Sequence, residues 1–383
     1  MSTRSEQWPV LLYLGHLRWD HVWQRPQQLM TRFAAHTPVI YVDPPEVTLG
    51  ATGTSLQEQP GVPGVQVWRP VFPGAPIMAG ERTYEDFWLE MLPAVLERVG
   101  APFMLWVSSP LADYLVAEAR ERAALVVYDC MDDLASFRDG TPALRRQEDH
   151  LLQMADLLFT GGFSMYEARK DRHPRAYCFP SGVDVAHYAQ THDPALAEPA
   201  ALSGIPHPRM GYFGVLDERI DWPLIADVAA RCPEWQWVLV GPTAKVEDDE
   251  LPQAPNIHYL GQQAYTDLPA FLKGFDLATM PFALNEATRF ISPTKTLEYL
   301  AGGKPVISSS VPDVVAFYSE IVHLADGADA WVAATSAVLQ SPPAEQAARL
   351  AAVEPLLHES TWDSIAARMG RLITDQLARP APR

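Results

Sequence analysis

A lysine and a glutamate stand three residues apart in the most informative stretch of the chain, residues 292–307. The stretch reads Ser-Pro-Thr-Lys-Thr-Leu-Glu-Tyr-Leu-Ala-Gly-Gly-Lys-Pro-Val-Ile. On a helix, Lys295 and Glu298 would lie one turn apart on the same face. The lysine could hold a phosphate, and the carboxylate could accept hydrogen bonds from a pair of sugar hydroxyls. Together they supply the chemistry that a nucleotide requires. The alternative is an ordinary surface helix of a βαβ unit.

The same stretch predicts the elements that position these side chains, namely a loop, a helix and a buried strand. Ser292 is expected at or near the N-cap and Pro293 in the first turn, while Gly302 ends the helix and Val306 begins the strand. A helix N-terminus has unpaired N–H groups and a partial positive charge, so it can hold a phosphate. Lys295 in the first turn is unfavourable for the helix dipole unless an anion is also present.

A known family shares this pattern. The nucleotide-sugar motif of glycosyltransferases with the GT-B fold, in particular family 4 and teichuronic-acid-type relatives, resembles the run Pro293-x-Lys295-x-x-Glu298-Tyr299-Leu300-Ala301-x-Gly303-Lys304-Pro305-Val306. The resemblance implies a nucleotide-diphosphate sugar as donor, with a UDP-sugar favoured. It also implies that the donor is bound by Ser292, Pro293, Thr294, Lys295 and Glu298.

Length, charge and cysteine usage restrict the class of protein. At 383 residues the chain is longer than one typical domain, which predicts two. The formal net charge of −18 argues against a nucleic-acid partner and a polybasic membrane anchor. No run approaches the roughly 18 apolar residues of a membrane helix, and residues 1–8 lack a signal peptide's apolar segment. Cys130, Cys178 and Cys232 match no metal pattern. We expect a cytoplasmic protein with reduced thiols, no metal and no transmembrane segment.

Polar side chains follow the first predicted strand, Val10–Leu14, at the carboxyl end where open α/β sheets bind ligands. The pattern Trp-Asp-x-x-Trp-Gln-Arg-Pro-Gln that begins at Trp19 resembles the same glycosyltransferases, whose first loop lies at the interdomain cleft. The resemblance makes His16 and Asp20 candidate catalytic residues. It makes Arg25 and Trp19 candidates for contact with the acceptor or with a phosphate. A second tryptophan four residues after Trp19 could share a helical face with it, so packing is the alternative for these rings.

Two carboxylates follow another buried strand, which the sequence predicts over residues 124–129. Asp132 and Asp133 would lie just after the carboxyl end of this strand, where a carboxylate can point into the ligand crevice. In many family 4 relatives a catalytic-site histidine lies close to this strand end, and this sequence has no histidine there. The resemblance therefore makes the two aspartates catalytic candidates, unless the site is built differently or they cap a helix.

The second half of the chain carries further candidates for donor binding. A predicted strand ends in a glycine turn at Gly214, which is a generic phosphate cradle. The relatives place an arginine one residue later, where this chain has Val215, so Arg219 is the candidate cation for the diphosphate. In the relatives a short strand borders the base pocket, which makes Leu260 and Gly261 candidate base contacts.

The loop before residue 292 departs from the family pattern. Many family 4 enzymes have two glutamates separated by seven residues. Glu298 matches the second, and Phe290 stands in place of the first. The contact with the donor sugar that is normally assigned to the first glutamate would then come from Asn285, Thr288 or Arg289.

The alternation of strands and helices along the chain predicts an α/β protein with two parallel-sheet domains. The run from Pro180 to Asp184 resembles the Asn-Gly-Val-Asp that closes the first domain in many family 4 enzymes. We expect a Rossmann-like acceptor-side domain over residues 1–185, a linker over 186–208, a Rossmann-like donor domain over 209–360, and a C-terminal helix and tail over 361–383. In the relatives the terminal helix packs back onto the first domain, and Thr361 is expected as its N-cap.

The resemblance implies the GT-B architecture, in which the two halves face each other across a cleft, and a glycosyltransferase with no cofactor beyond its nucleotide-sugar co-substrate. It further implies retention of anomeric configuration, independence of metal, and a glycan or lipid-linked acceptor in polysaccharide or cell-envelope synthesis. A lipid-linked acceptor would bring peripheral contact with the inner membrane face. Two alternatives stay open, a nucleotide-sugar epimerase of the same fold and a non-catalytic nucleotide-sugar-binding scaffold. An NAD enzyme is disfavoured because the three-glycine fingerprint does not follow the first strand.

Overall fold

A computed structural model of the chain describes residues 8–21, 23–136 and 141–379, without the side chains of residues 248, 343, 347 and 350. The expectations for the first seven residues and for the end of the tail, 380–383, therefore lie outside the described residues. The chain divides into two compact units. Among the described residues, the first unit comprises those up to 161, residues 165–179 and those from 365 onward, and the second comprises residues 162–164 and 180–364.

The first unit is built on a sheet whose central strands are buried on both faces. Within the described residues its strands are β1 (Val10–Leu14), β2 (Val39–Val42), β3 (Glu46–Thr48), β4 (Ser55–Val62), β5 (Val65–Pro73), β6 (Phe103–Val107), β7 (Ala123–Cys130), β8 (Leu157–Thr160) and β9 (Ala176–Cys178). They lie in the order β3-β5-β2-β1-β6-β7-β8-β9, and β4 pairs antiparallel with β5. The other pairs are parallel, which explains why β1, β6 and β7 read as nearly continuous apolar runs.

Helices follow the strands of this half of the chain. They are α1 (Arg25–Phe33), α2 (Gly74–Met78), α3 (Tyr84–Val99), α4 (Asp113–Ala119), α5 (Pro142–Met154) and α6 (Phe163–Arg169). The helix α3 shows how local sequence sets their bounds. Thr83 and Asp86 form a reciprocal capping box at its start, and Gly100, with a φ of 78°, ends it. Its apolar residues recur every three or four positions and form one buried face.

The second unit repeats the parallel arrangement on a smaller sheet. Its strands are β10 (Arg209–Phe213), β11 (Gln236–Val240), β12 (Ile257–Tyr259), β13 (Leu277–Met280), β14 (Val306–Ser308) and β15 (His323–Leu324), in the order β12-β11-β10-β13-β14-β15. Its helices are α7 (Val185–Tyr188), α8 (Trp222–Arg231), α9 (Leu268–Lys273), α10 (Thr294–Ala301), α11 (Pro312–Tyr318), α12 (Gly327–Gln340), α13 (Pro343–Ala351) and α14 (Glu354–Glu359). The predicted fold class, α/β with two parallel sheets, is thereby confirmed.

The last helix, α15 (Trp362–Leu377), returns to the first unit from residue 365 onward, as predicted. Thr361 caps it, because its hydroxyl accepts a hydrogen bond from the backbone N–H of Ser364 at 3.1 Å. Within the first unit, Trp8 Nε1 donates to Thr374 Oγ1 at 3.0 Å, and the same indole packs against Gly370. The terminal helix is therefore anchored next to the start of β1.

The segment predicted to be a linker, residues 186–208, is not an extended connection. It contains most of α7 and two short 3-10 helices, and it belongs to the second unit. Tyr188, Leu202 and Ile205 are buried in the core of that unit. The sequence shows no sustained periodicity here because these apolar anchors lie on short, irregular turns rather than on one long helix.

Candidate functional site

The helix that carries Lys295 and Glu298 begins after Pro293 rather than at it. Pro293 is the N-cap, with an extended backbone (φ −68°, ψ 112°), so α10 starts at Thr294. Ser292 lies next to the N-cap, as expected, but Pro293 is the N-cap itself rather than a residue of the first turn. Ser292 lies one residue too early for its hydroxyl to reach the amides that an N-cap side chain binds. Among the described residues no side chain caps α10, which leaves its first-turn N–H groups to other partners.

The side chain of Lys295 lies over the glycine turn at the end of β10. Its Cε is 3.2 Å from the point where a Cβ on residue 214 would sit, and Gly214 has a φ of 150°. A Cβ on Gly241, which also has a φ of 150°, would lie 1.8 Å from the carbonyl oxygen of Gly214. Both glycines are therefore required by positive φ and by close approach. The lysine Nζ lies 5.3 Å from the centroid of the Phe213 ring.

Lys295 and Glu298 form an ion pair with each other. Lysine Nζ donates to Glu298 Oε2 at 2.9 Å, across one turn of α10. The two side chains are 23% and 13% exposed, so the pair is partly buried. The lysine also lies 3.4 Å from Thr294 Oγ1. The sequence predicted separate ligands for the cation and the carboxylate, and in the free protein each neutralises the other. An anionic ligand must therefore compete with Glu298 for the lysine.

Arg219, the predicted second cation for a diphosphate, is held by Asp217. Its Nε lies 3.0 Å from each carboxylate oxygen of Asp217, and its terminal nitrogen donates to Oδ2 at 2.6 Å. This fork geometry is the strong bidentate form of the pair. Burial raises the pKa of the Tyr212 hydroxyl, and the nearby Arg219 charge opposes that rise. Arg219 thus lies near the base of the glycine turn, with much of its charge already compensated.

The two predicted base contacts lie in the exit from β12. Leu260 N–H donates to the carbonyl of Leu239 at 2.9 Å, and the Gly261 carbonyl accepts from Gly241 N–H at 2.8 Å. Gly261 has a φ of 66°, and nothing lies within 4 Å of the position where its Cβ would be. This loop is joined through Gly241 to the Gly214 turn, so the predicted base and phosphate residues belong to one connected set of loops.

The loop before α10 is held together by Thr288, one of the residues predicted to contact a donor sugar. Thr288 is 1% exposed, and its hydroxyl donates to the carbonyls of Ala283 and Asn285 and accepts from the N–H of Asn285. Its capacity for hydrogen bonds is therefore used within the loop. Arg289 is exposed, lies 3.5 Å from Glu286 and stacks on the Phe290 ring at 5.1 Å.

An aromatic cluster next to Glu298 was missed by the sequence analysis. The rings of His187 and Tyr265 stack at 4.1 Å, and those of Tyr188 and Phe213 stack at 5.9 Å with only 3° between their planes. Phe213 also meets Tyr299 edge-on at 4.8 Å. The signal lay in the pair His-Tyr shortly after the Gly-Val-Asp run, inside the segment assigned as a linker. The cluster meets α10 through Phe213, which contacts Tyr299 of that helix and lies 5.3 Å from Lys295 Nζ.

In the first unit, the charge of Asp132 acts on another predicted residue, His16. Burial lowers the pKa of His16, and the Asp132 charge opposes that shift. The His16 Nδ1 atom is buried and has no hydrogen-bond partner among the described residues. The two residues follow β1 and β7 at their carboxyl ends, where the parallel sheet places ligands. A neutral imidazole with an unpartnered nitrogen can accept a proton or a hydrogen bond from a ligand.

Asp20, the other predicted catalytic residue in this loop, interacts with a different partner, Arg69. Its carboxylate is 62% exposed and accepts a hydrogen bond from Arg69 at 2.9 Å, which lowers the pKa of Asp20. Arg69 also binds the buried Asp43 at 2.7 Å. Asp43 in turn accepts from the backbone N–H of Trp19 at 2.8 Å. The arrangement fixes the loop after β1, and Asp20 forms its exposed corner.

Arg25, one of the two predicted acceptor contacts, is buried in an ion pair. It is 3% exposed, binds both carboxylate oxygens of Asp129, and donates to the carbonyl of Phe179 at 2.7 Å. Trp19 is also buried, and its ring packs edge-on against Trp23 and Tyr41 at 5.5 and 5.1 Å. Both tryptophans precede α1, so they do not share a helical face. Arg25 and Trp19 make these internal contacts, and contact of either residue with an acceptor stays a prediction.

Asp133 is likewise engaged inside the first unit. It is 7% exposed, accepts from the Ser136 hydroxyl at 2.7 Å and lies 3.4 Å from the buried Arg169. Arg169 also binds Glu148 at 2.8 Å. Burial raises the pKa of the neighbouring Cys130 thiol to about 12, so that group stays protonated. Of the two predicted carboxylates, Asp132 remains the candidate for contact with a ligand.

Within residues 8–21, 23–136 and 141–379, no group of three or more histidine, cysteine, aspartate or glutamate side chains is arranged to hold a metal ion. No described helix is both long enough and apolar enough to cross a membrane.

Comparison with known families identifies part of the second unit. Residues 208–341 match the family model described as Glycosyl transferases group 1. A protein of Bacillus subtilis strain 168, named as the teichuronic acid biosynthesis glycosyltransferase TuaH, is 29% identical over 106 residues. That match covers 27% of this chain and 27% of the relative, so it spans about a quarter of either protein.

Several solved structures resemble the chain along nearly its whole length. A sucrose-phosphate synthase from Thermosynechococcus elongatus is 16% identical with a TM-score of 0.71, covering 97% of this chain and 99% of that one. An alpha,alpha-trehalose-phosphate synthase (UDP-forming) from Burkholderia vietnamiensis is 14% identical with a TM-score of 0.67, covering 98% and 100%. Anabaena HepE, in complex with UDP and glucose, is 14% identical with a TM-score of 0.66, covering 96% and 99%. At these identities the likeness establishes a shared fold.

Proposed function

We propose that this chain, which has the GT-B fold and carries a group 1 glycosyltransferase domain at residues 208–341, transfers a sugar from a nucleotide-diphosphate sugar to an acceptor. In this reaction the bond between the sugar C1 and the diphosphate oxygen breaks, and a bond from C1 to an acceptor oxygen forms. The acceptor hydroxyl proton passes to the leaving diphosphate. We assign the donor to the second unit and acceptor contact to the first.

The observation that carries the proposal is the position of Lys295 over the Gly214 turn, at the uncapped N-terminus of α10. A diphosphate placed there would receive backbone N–H groups, the positive end of the helix dipole and the lysine charge. These groups stabilise the negative charge that grows on the leaving diphosphate as the sugar bond breaks. Transfer without a metal ion follows from this assignment, because protein cations and amides supply the stabilisation.

Glu298 is the proposed partner of the ribose hydroxyls. Once a phosphate has drawn Lys295 away, the carboxylate can accept two hydrogen bonds in a plane, which suits the neighbouring hydroxyls of ribose. UDP is the favoured nucleotide because UDP appears in the names of two of the structural relatives. The base would lie against the loop that contains Leu260 and Gly261.

The acceptor side is assigned to His16 and Asp132 of the first unit, with Asp20 at the edge. The relative named for teichuronic acid biosynthesis supports a glycan or lipid-linked acceptor in polysaccharide or cell-envelope synthesis. A lipid-linked acceptor would bring the protein to the cytoplasmic face of the membrane as a peripheral protein. Retention of anomeric configuration, by attack from the face that the diphosphate leaves, is part of the same proposal.

The test is the release of nucleoside diphosphate from a panel of UDP-, GDP-, ADP- and TDP-sugars, with and without candidate acceptors. We expect release from one donor that increases at least severalfold when an acceptor is added, and that is lost in Lys295→Ala. Conversion of the sugar without an acceptor would instead indicate an epimerase. Binding of a nucleotide sugar without release of nucleoside diphosphate would favour the non-catalytic scaffold. A panel in which nothing binds and nothing is released would overturn the proposal.

A further inference from the structure

The side chain of Tyr188 ends in a hydroxyl group that is buried without a hydrogen-bond partner among the described residues. Tyr188 lies in α7 and is 1% exposed. Its ring is firmly placed, since it stacks on Phe213 at 5.9 Å and meets Tyr265 edge-on at 6.2 Å. A buried donor without a partner is costly, so such a group in a well-packed core requires an explanation.

The neighbour that could accept from this hydroxyl is Glu298. Apart from burial, the Glu298 carboxylate is the group that most raises the pKa of Tyr188, which places the two side chains next to each other. In the free protein the Tyr188 hydroxyl makes no hydrogen bond of ordinary geometry to this carboxylate, and Lys295 Nζ donates to Glu298 Oε2 at 2.9 Å. Phe213 touches both neighbours of Glu298, because its ring stacks on Tyr188 and lies 5.3 Å from the Nζ atom of Lys295.

We propose that Tyr188 is a positioning residue for Glu298, and that its hydroxyl donates to this carboxylate when an anionic ligand draws Lys295 away. The partly buried carboxylate then loses its cation and needs new donors. The tyrosine supplies one of them from a fixed position, and the ribose hydroxyls supply the others. The inference rests on the proposed function, since it needs a nucleotide whose phosphate competes for the lysine.

This assignment predicts opposite effects of one substitution on stability and on binding. Tyr188→Phe removes only the hydroxyl. In the free protein that group is unpartnered, so the melting temperature should stay the same or rise. UDP binding should weaken about tenfold, because the bound state loses a hydrogen bond to a charged group. Tyr299→Phe is the matched control. Its equally buried hydroxyl accepts from Phe213 N–H at 3.0 Å, so this variant should melt at a lower temperature.

The experiment measures the melting temperature without ligand and the UDP dissociation constant by calorimetry, for wild type, Tyr188→Phe, Glu298→Ala and the double variant. If Tyr188 acts through Glu298, the tyrosine substitution should change UDP affinity by less than about twofold in the Glu298→Ala background. Independent, multiplying losses would overturn the inference, as would a lower melting temperature for free Tyr188→Phe. Unchanged UDP affinity in Tyr188→Phe would overturn it while leaving the proposed function intact. Failure of the wild type to bind UDP would instead refute the UDP assignment on which the inference rests.

Discussion

Replacement of Lys295 by alanine removes the cation that we assign to the diphosphate and so tests the nucleotide site directly. In the proposed complex the lysine Nζ makes a charge-assisted hydrogen bond to a phosphate oxygen, a contact worth about 1.5–3 kcal/mol. Loss of that contact weakens UDP binding by about 10- to 150-fold. We expect a loss near 150-fold, the upper end of this range. In the wild type Glu298 lies 2.9 Å from the lysine, and in the variant its negative charge remains unpaired beside the diphosphate.

The same substitution has a smaller and separable effect on stability. The side chains of Lys295 and Glu298 are 23% and 13% exposed. Their pair therefore falls between the exposed and the buried classes, and breaking it should cost about 1–2 kcal/mol. Adding Glu298→Gln removes the orphan carboxylate charge and should recover part of this loss. It should not restore UDP binding, because the cation is still missing.

Calorimetric titration with UDP, together with thermal unfolding, is the assay for these variants. Lys304→Ala is the matched control, since this lysine lies just beyond the other end of α10 and donates to the carbonyls of Lys273 and Phe275 at 2.9 and 2.6 Å. It should lower the melting temperature and leave the UDP dissociation constant unchanged. UDP affinity that is equal in wild type and Lys295→Ala would refute the site.

Further substitutions test the structural roles assigned to other residues. Arg25→Met should lower the free energy of unfolding by about 3–5 kcal/mol in chemical denaturation, because it strands a buried carboxylate; a loss below about 1 kcal/mol would contradict the buried pair. Burial lowers the pKa of His16 below its ordinary 6.5, so the unfolded chain takes up the proton first as pH falls. Stability should therefore decline from pH 6.5 down to the folded-state pKa, and pH-dependent melting of His16→Asn should show a flatter profile. Gly241→Ala should reduce both the melting temperature and UDP affinity, because its Cβ would lie 1.8 Å from the Gly214 carbonyl oxygen, whereas Gly204→Ala, with open space around it, should change neither.

Local features of the fold were readable from the sequence because their causes are local. Continuous apolar runs indicated the buried parallel strands, and the hydroxyl of Thr361 indicated where α15 begins. The three-residue spacing of Lys295 and Glu298 placed them on one helical face, where the structure has them. The glycine at 214 likewise marked a turn that a Cβ would block.

The partners of charged side chains were not readable, because they come from distant parts of the chain. Arg25 meets a carboxylate 104 residues away, and nothing near it in sequence distinguishes a buried ion pair from a ligand contact. Asp133 is bound by Arg169 for the same reason. Tyr188 was overlooked because a short helix in an irregular segment carries no periodic signal, although its ring stacks on Phe213 next to Lys295.

The most direct test of the central claim is a crystal structure of the protein with UDP bound. We expect a diphosphate within hydrogen-bond distance of Lys295 Nζ and of the first-turn N–H groups of α10, with the ribose hydroxyls on Glu298. Well-defined UDP elsewhere in the molecule, with the Lys295–Glu298 ion pair still closed, would contradict it.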